Sequence, residues 1–394
     1  MKANPWRVLA AAGIIAAGLC FGLGVYVVGL SDKNASERDF IEYWAAGQQL
    51  AHGANPYDFA GILQRERAAG FEGNEPRVTL SPPIVLLLVL PLGYVGPKTG
   101  LILWLLVLLA GLLASIGLLW RLHGSPPSGY HWIGMAFAPT LACLMAGQIS
   151  IFLLLSVVLF LYWHQSRPWL AGAILLPCVL KPHLFLSFAV ALLLWMASRR
   201  SYRVLAGFAA ALAASCALTQ YLDRHAWSEY AQLSHSNNIL HLFVPTLSEC
   251  FRFFIDRNAV WLQFIPAAAS CVWAVWYFQT RRDRWKWMEQ GLLVLLVSAV
   301  CAPYAFFYDE SMLLPAVLAG IYCAADSRRS LLPLGLIAGV ALVEVFANVQ
   351  ITSPYYLWTP LAWLAWYLYA TWNRCMRTTE DQGGEAEDAL QARR

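Results

Sequence analysis

Long apolar stretches, and the polar residues that interrupt them, constrain the fold of this chain most strongly. Stretches long enough to cross a bilayer, which takes roughly 20 residues, recur from the N-terminal region to residue 372. Hydrophobic residues make up 59% of the chain and charged residues only 13%, whereas soluble domains carry about a quarter charged residues. We therefore predict an all-α, polytopic membrane protein built as a helical bundle.

Several apolar stretches are too long for one span and are broken midway by polar residues. We predict that each forms a helical hairpin with a short turn. The breaks lie at Gly147-Gln148, at Lys181-Pro182-His183, between Pro303 and Glu310, and between Asn348 and Tyr355.

The remaining boundaries carry arginine and lysine, which the positive-inside rule assigns to the cytoplasm. These cations are Lys2, Arg7, Arg121, Arg167, Arg199, Arg200, Arg203, those in 281–286, Arg328, Arg329 and Arg374. The short apolar segment Pro82–Val95 decides whether the number of membrane-spanning helices is odd or even. As a full span it gives thirteen helices and puts the later arginine clusters outside. As a re-entrant or interfacial helix it gives twelve helices with every cluster inside, and we favour this interpretation.

The predicted organisation is one integral-membrane domain over residues 1–378, with about twelve helices (11–13) and both termini cytoplasmic. Residues 31–98 form a first extracytoplasmic loop with interfacial or re-entrant helices, and residues 222–259 form a second large one. Residues 379–394 form a polar, disordered cytoplasmic tail. The N-terminal apolar run of about 23 residues suits an uncleaved first span better than a cleaved signal peptide.

With this topology the polar breaks fall on one side of the membrane. Ionisable groups at such junctions are costly to place and therefore indicate function. The set consists of Asp39, Gln148, Lys181, His183, Tyr308, Asp309, Glu310, Asn348 and Gln350.

Asp39 precedes a segment in which Phe40, Tyr43, Trp44 and Leu50 recur at helical spacing. This spacing predicts an amphipathic helix along the membrane interface. Asp39 then serves either as the N-cap of that helix or as a general base, and residue chemistry alone favours the cap.

Lys181 and His183 flank a proline in a predicted outside turn. Lys181 is either a snorkelling lysine or a cation for a phosphate, with His183 as a hydrogen-bonding neighbour. The positive-inside rule disfavours an isolated lysine on the extracytoplasmic side. We therefore favour a phosphate-binding role for Lys181. Tyr308, Asp309 and Glu310 fit either an aromatic belt or contacts to sugar hydroxyls or a cation, and the residues leave both open.

Several short motifs together resemble glycosyltransferase family 87, the polyprenol-phosphate-mannose-dependent α-mannosyltransferases and their bacterial relatives. The resemblance spans roughly residues 35–315. It rests on Asp39-Phe40, Tyr43-Trp44, Ala46, 53–57, Pro82-Pro83, Pro91-Leu92, Gly147-Gln148, Ala171-Gly172, Lys181-Pro182, Pro303-Tyr304 and Tyr308-Asp309.

The resemblance implies a GT-C membrane bundle with an active site at the extracytoplasmic face. The donor would be a polyprenyl-phosphate sugar, mannose or another hexose, and the acceptor a glycolipid or glycan. Asp39 matches the family's catalytic base for an inverting transfer. The expected substrate-binding residues are Lys181, His183, Gln148, Tyr308, Asp309, Tyr43 and Trp44.

No metal or nucleotide motif is present in the sequence, and no cofactor is predicted; a divalent cation is neither required nor excluded. Nothing indicates a nucleic-acid partner. We expect the protein in a bacterial inner membrane as part of cell-envelope glycan synthesis. A polytopic transporter or lipid flippase is the main alternative, and a non-catalytic membrane scaffold is a third. Transporters tend to have internal repeats and midplane sites, however, whereas the polar groups here cluster at one face beside a long first outer loop.

Overall fold

The computed structural model describes residues 32–236 and 244–372, and the regular structure within them is entirely helical. The all-α prediction is confirmed for this part of the chain. The predicted first span, the predicted tail 379–394 and residues 237–243 of the second loop lie outside the described residues.

The helices of the first half surround a large buried apolar core. Their bounds are α1 Asp32–Ser36, α2 Phe40–Ala51, α3 Phe59–Ala68, α4 Val85–Val89, α5 Pro97–Leu122, α6 Ala138–Ala146, α7 Ser150–Trp163, α8 Pro168–Ala173 and α9 Leu186–Ser198. Short 3₁₀ turns lie between them at Leu90–Tyr94, Gly129–Ala136, Leu176–Leu180 and Pro182–Phe185.

The second half continues with α10 Tyr202–Leu222, α11 Ala226–Ser236, α12 Leu247–Phe254, α13 Ile265–Arg281, α14 Leu292–Val300, α15 Leu314–Asp326, α16 Leu332–Phe346 and α17 over 359–372. Its 3₁₀ turns are Val260–Phe264, Arg282–Arg284, Phe307–Leu313 and Pro354–Tyr356, and Trp287–Gly291 forms a π-helical turn.

Three of the described helical segments are long and apolar enough to cross a membrane: Pro97–Leu122, Tyr202–Leu222 and Val260–Arg284. The longest has 26 residues, and at 1.5 Å per residue it reaches about 39 Å, more than a hydrocarbon core of about 30 Å. Six further apolar helices have 10–17 residues. The all-helical class is therefore established, while the count of twelve spans stays a prediction.

The long apolar stretches turn at their polar residues. Gly147 adopts φ 73° between α6 and α7, a left-handed conformation that glycine reaches without strain. The chain leaves helix after Val300 and resumes it at Phe307. Asn348, at φ 55° just after α16, is in the left-handed conformation common at helix C-termini. These turns bring the polar breaks to the ends of helices.

Helix α2 lies inside the protein, whereas its spacing predicted a helix along the membrane interface. Nine of its twelve residues are buried. The reason is a close approach to the 3₁₀ turn Leu90–Tyr94: a Cβ at Gly47 would overlap the Val89 carbonyl oxygen, and one at Gly93 would overlap the Gly47 carbonyl oxygen. Only glycine allows two backbones to come this close.

The segment Pro82–Val95 contains α4 and the 3₁₀ turn Leu90–Tyr94, each of five residues. Ten helical residues are half of what a full span needs. The segment is therefore short for a full span, and its place within the first loop stays a prediction.

Part of the second loop is tied to the turn after α14. The buried Arg252 side chain on α12 donates to Gln263 Oε1 at 3.2 Å, and Gln263 Nε2 donates to the Pro303 carbonyl at 2.5 Å. The loop therefore fixes the backbone that leads into residues 304–309.

The close approach of α2 gives a test of the fold. Gly47→Ala should lower the free energy of unfolding by roughly 1–3 kcal/mol, because the new methyl group must displace backbone. Gly339→Ala in α16 is the matched control, since a Cβ there meets no atom within 4 Å and alanine is the better helix former. Thermal unfolding of both variants in mild detergent gives the comparison. Equal unfolding midpoints would contradict the close packing of α2.

Candidate functional site

Gln148 is the centre of a group of polar side chains where α2 meets the turn before α7. Its side chain is buried, and the Tyr43 hydroxyl donates to its Oε1 at 2.7 Å. The amide nitrogen then faces two carboxylates, with 3.2 Å to Asp39 Oδ2 and 3.3 Å to Glu42 Oε1. One amide thus joins two acids of the first loop.

The backbone before Gln148 fixes this position. A Cβ at Gly147 would lie 2.7 Å from the Cβ of Phe40, so the turn packs directly on the start of α2. The Trp104 indole N–H donates to the Gly147 carbonyl at 2.7 Å, and the Tyr43 ring stacks on Trp104 with centroids 5.6 Å apart. Helices α2 and α5 together hold the turn against Asp39.

Asp39 stands at the N-terminus of α2, yet its side chain makes no capping hydrogen bond. About a third of the side chain is exposed (34%), and Oδ1 lies 3.5 Å from the Arg77 guanidinium. Asp58 does act as a cap, since it accepts from the Gly61 amide at 2.8 Å. Of the two loop carboxylates, Asp39 is the one whose oxygens face a partly open polar site.

Arg77 is held in place by a second acid. The backbone N–H of Arg77 donates to both carboxylate oxygens of the buried Glu66, at 3.1 and 3.2 Å, and its guanidinium donates to the Glu37 carbonyl at 2.9 Å. Burial raises the pKa of Glu66 to about 7. This anchoring fixes the cation beside Asp39.

Glu42 differs from Asp39 in its electrostatic surroundings. Burial, and next the neighbouring charge of Asp39, raise the pKa of Glu42 to about 8, against the opposing effects of Tyr43, Lys181 and Gln148. Two carboxylates that share one site are expected to separate in this way, because both cannot be ionised at low cost. At neutral pH most molecules therefore carry a proton on Glu42.

Lys181 and Asp309 form a buried ion pair next to these acids. Lys181 Nζ lies 2.6 Å from Asp309 Oδ1, with side chains 11% and 2% exposed. The Ser150 hydroxyl donates to the same oxygen at 2.5 Å, and the Phe306 amide donates to Oδ2 at 3.0 Å. Both carboxylate oxygens of Asp309 are therefore hydrogen-bonded, as a buried ion pair requires. Asp309 is thus fully engaged in holding Lys181.

Aromatic rings border the ammonium group. Lys181 Nζ is 5.0 Å from the centroid of the Tyr308 ring, within the range of a cation–π contact. The His183 ring stacks on Tyr304 with centroids 3.7 Å apart. Among the described residues, the buried Nε2 of His183 has no hydrogen-bond partner. A ligand oxygen near Lys181 is one group that would satisfy it.

Two other predicted residues make their hydrogen bonds to groups outside this cluster. The Trp44 indole N–H donates to the Val95 carbonyl at 2.9 Å, and its ring packs against Gly100 at the start of α5. Glu310 accepts from Thr359 at 2.6 Å and from Trp363 at 2.7 Å, both on α17. Trp44 and Glu310 therefore join helices to one another.

An apolar groove of about 320 Å³ includes Leu180, the residue before Lys181, in its lining. Its walls come from α4, α7, the 3₁₀ turn Leu176–Leu180 and α10. The lining residues are Ile84, Leu87, Leu88, Phe152, Leu176, Pro177, Leu180 and Ser215. Leu180 directly precedes Lys181, so an apolar channel and a cation are neighbours in the chain.

A comparison with protein-family models matches residues 80–303 to glycosyltransferase family 87. The match covers more than half of the chain. The protein belongs to glycosyltransferase family 87. No curated protein and no solved structure matches the chain.

Membership in glycosyltransferase family 87 makes the chain a glycosyltransferase with a sugar donor and an acceptor, and the apolar helices indicate a membrane protein. The family resemblance predicted from the motifs is confirmed. Gln148, Lys181 and His183 lie within the matched region, whereas Asp39, Tyr43, Tyr308 and Asp309 lie outside it. The structure brings these two sets of residues together.

Sequence reasoning missed three residues of this site: Glu42, Arg77 and Ser150. Glu42 could have been found, because residues three apart lie on the same face of a helix and Asp39 directly precedes α2. Ser150 follows Gln148 by two residues at the same break. Arg77 lies in an irregular segment, where spacing gives no signal. Tyr304 was part of a family motif but had no role assigned to it.

The ion pair gives a second test. Asp309→Asn should destabilise the protein by about 3 kcal/mol, because it leaves the Lys181 charge buried without its counterion. Lys181→Met should also destabilise, and the double variant should lose less than the sum of the single losses. Unfolding of all three variants in detergent measures this coupling.

The exposed pair Lys33–Glu72, with N–O distance 2.9 Å, is the control. Because solvent screens exposed charges, the same cycle there should give no measurable coupling. Additive losses at Lys181 and Asp309 would show that the two groups do not form a buried pair.

Proposed function

We propose that the protein transfers a hexose, mannose or a close relative, from a polyprenyl-phosphate donor to a glycolipid or glycan acceptor. The reaction would take place at the extracytoplasmic face with inversion at the anomeric carbon. The observation that carries the proposal is Asp39: its carboxylate is free of any capping bond, partly exposed, and held by Gln148 beside the Lys181–Asp309 pair.

Asp39 acts as the general base in this mechanism. It takes the proton of an acceptor hydroxyl, whose oxygen attacks the anomeric carbon as the bond to the phosphate oxygen breaks. Arg77 at 3.5 Å and the Gln148 amide at 3.2 Å orient the carboxylate. Glu42, protonated at neutral pH, keeps a second negative charge out of the site.

The leaving polyprenyl phosphate gains negative charge as it changes from a diester to a monoester. Lys181 stabilises this charge, and Asp309 and Ser150 fix the ammonium group for that purpose. The Nε2 of His183 donates to a phosphate oxygen in the tautomer that carries its proton there. Because the lipid brings its own phosphate, no nucleotide site is needed.

The apolar groove that contains Leu180 supports a lipid-linked donor. Seven of its eight lining residues are apolar, and its walls include the short helix α4. An isoprenoid chain bound in this groove would contact Leu180, the chain neighbour of Lys181. A soluble nucleotide sugar has no apolar chain that could bind in such a groove.

Sugar recognition falls to the remaining polar and aromatic groups. Gln148 donates to Asp39, and the Tyr308 ring lies beside Lys181. Both are proposed contacts to sugar hydroxyls, together with Tyr43, which donates to Gln148. Asp309 is better understood as the partner of Lys181, since its oxygens already accept three hydrogen bonds. Trp44 contributes by holding α2 against α5.

The transporter or flippase alternative receives no support from the family assignment, which is that of a glycosyltransferase. A cluster built from several helix ends, with a base and a phosphate cation side by side, favours transfer chemistry. We place the protein in a bacterial inner membrane with this cluster outside, on the distribution of arginine and lysine.

Replacement of the base gives the central test. Asp39→Asn keeps an acceptor for Gln148 but cannot take a proton, so transfer should fall by about 10²–10⁴-fold while the protein stays folded. The assay follows radiolabelled mannose from polyprenyl-phosphate-mannose into a lipid and glycan extract, using purified protein.

Asp58→Asn is the matched control, a carboxylate in the same loop that caps α3. Because Asn caps a helix about as well as Asp, this variant should retain both its stability and its transfer. Full turnover in Asp39→Asn would remove Asp39 as the base. No product from wild type with any polyprenyl-phosphate sugar would reject the donor class itself.

The pKa of Glu42 predicts how transfer depends on pH. Below about 8 the side chain is protonated and neutral, and above it a second negative charge appears beside Asp39 and the donor phosphate. Transfer should therefore fall by roughly tenfold as the pH rises through about 8. Glu42→Gln, which is neutral at every pH, should keep its rate between pH 7 and 9.

The donor diester and the acceptor hydroxyl do not titrate in this range, so the comparison isolates the enzyme. Identical pH profiles for wild type and Glu42→Gln would show that Glu42 does not control the site.

A further inference from the structure

A second and larger cavity lies at the arginine-rich ends of the helices. It has a volume of about 790 Å³ and opens between the end of α9, the start of α10 and the segment 285–288. Four cations line it, Arg199, Arg200, Arg203 and Lys286, and its lining contains no acidic residue. By the positive-inside rule this is the cytoplasmic side.

Two buried hydrogen-bond donors also line this cavity. Trp285 and Trp287 are 7% and 2% exposed, and among the described residues neither indole N–H has a hydrogen-bond partner. Buried polar groups are nearly always paired, so two orphaned donors in one cavity wall need an explanation. An acceptor-only ligand such as a phosphate would satisfy them.

Membrane topology alone explains the arginines but not the cavity. Positive residues at a cytoplasmic helix end need only be exposed, whereas these surround a defined volume with buried donors. Arg199 is engaged with the carbonyls of Arg282 at 3.1 Å and Asp283 at 2.8 Å, which fixes the neighbouring turn.

The cations differ in how far they are already paired. Lys286 lies 3.3 Å from Glu289. Arg200 and Arg203 form no ion pair with a carboxylate within the described part of the chain. Their charges are therefore available to bind an anionic ligand.

We propose that this cavity binds the phosphate headgroup of an anionic phospholipid from the surrounding membrane. Arginine pairs with phosphate oxygens through two parallel hydrogen bonds, and the indole donors add neutral ones. The cavity adjoins the start of α10 and the end of the Val260–Arg284 segment, both long enough to cross the membrane. It therefore lies at the depth of lipid headgroups. The site is separate from the Asp39 cluster and does not depend on the proposed reaction.

Lipid binding by the purified full chain tests this site. The probes are radiolabelled dioleoyl phosphatidylglycerol and the zwitterionic dioleoyl phosphatidylcholine, each titrated in detergent. Wild type should bind the anionic lipid and not the zwitterionic one. Arg200→Gln/Arg203→Gln should bind it at least about tenfold more weakly, since each basic residue near a lipid headgroup adds to the affinity.

Two further double variants make the comparison specific. Arg200→Lys/Arg203→Lys keeps the charge but loses the paired hydrogen bonds, so its affinity should lie between those of wild type and Arg200→Gln/Arg203→Gln. Arg121→Gln/Arg328→Gln removes the same charge from basic ends outside the cavity and should bind like wild type. It is matched in backbone as well, because Arg200 at φ 52° and Arg328 at φ 53° both adopt left-handed conformations.

Three results would overturn the proposal. Equal binding of both lipids would exclude headgroup recognition. Unchanged binding by the Arg200→Gln/Arg203→Gln variant, or an equal loss in the control variant, would place the lipid elsewhere. Displacement of the lipid by millimolar inorganic phosphate would assign the cavity to a soluble phosphate compound.

Discussion

The buried ion pair between Lys181 and Asp309 is the contact on which the rest of the site depends. It joins two helix breaks that are 128 residues apart in the chain, and the Ser150 hydroxyl brings a third break to the same carboxylate oxygen. A charge removed from water must be compensated in place. These three turns are therefore fixed relative to one another, and the candidate site is built on a rigid junction of helix ends.

The side-chain amide of Gln148 contacts two acids that differ in their surroundings. It donates to both Asp39 and Glu42, but only Asp39 has Arg77 beside it. Burial and the Asp39 charge keep a proton on Glu42 at neutral pH. Different surroundings for two neighbouring carboxyl groups are a feature of acid and base catalysts. The difference between Glu42 and Asp39 at one helix end supports the role proposed for Asp39.

Sequence alone predicted the helical class, the family and the helix breaks, because hydropathy and charge act over short stretches. It also selected Asp39, Gln148, Lys181 and Asp309, whose side chains do meet. It did not predict the burial of α2, which depends on the distant pair Gly47 and Gly93. It could not exclude the capping role of Asp39 from residue chemistry, since only the folded structure shows that this side chain makes no capping hydrogen bond.

The Lys181 cluster and the arginine-rich cavity share one physical feature. Within residues 32–236 and 244–372, each combines a cation with a buried donor that has no hydrogen-bond partner: His183 with Lys181, and Trp285 and Trp287 with Arg200 and Arg203. An anion rich in oxygen is the ligand that satisfies both. Asp39, a partly exposed carboxylate, belongs to the Lys181 cluster, whereas no acidic residue lines the arginine-rich cavity. This difference is why we propose transfer at the first site and binding alone at the second.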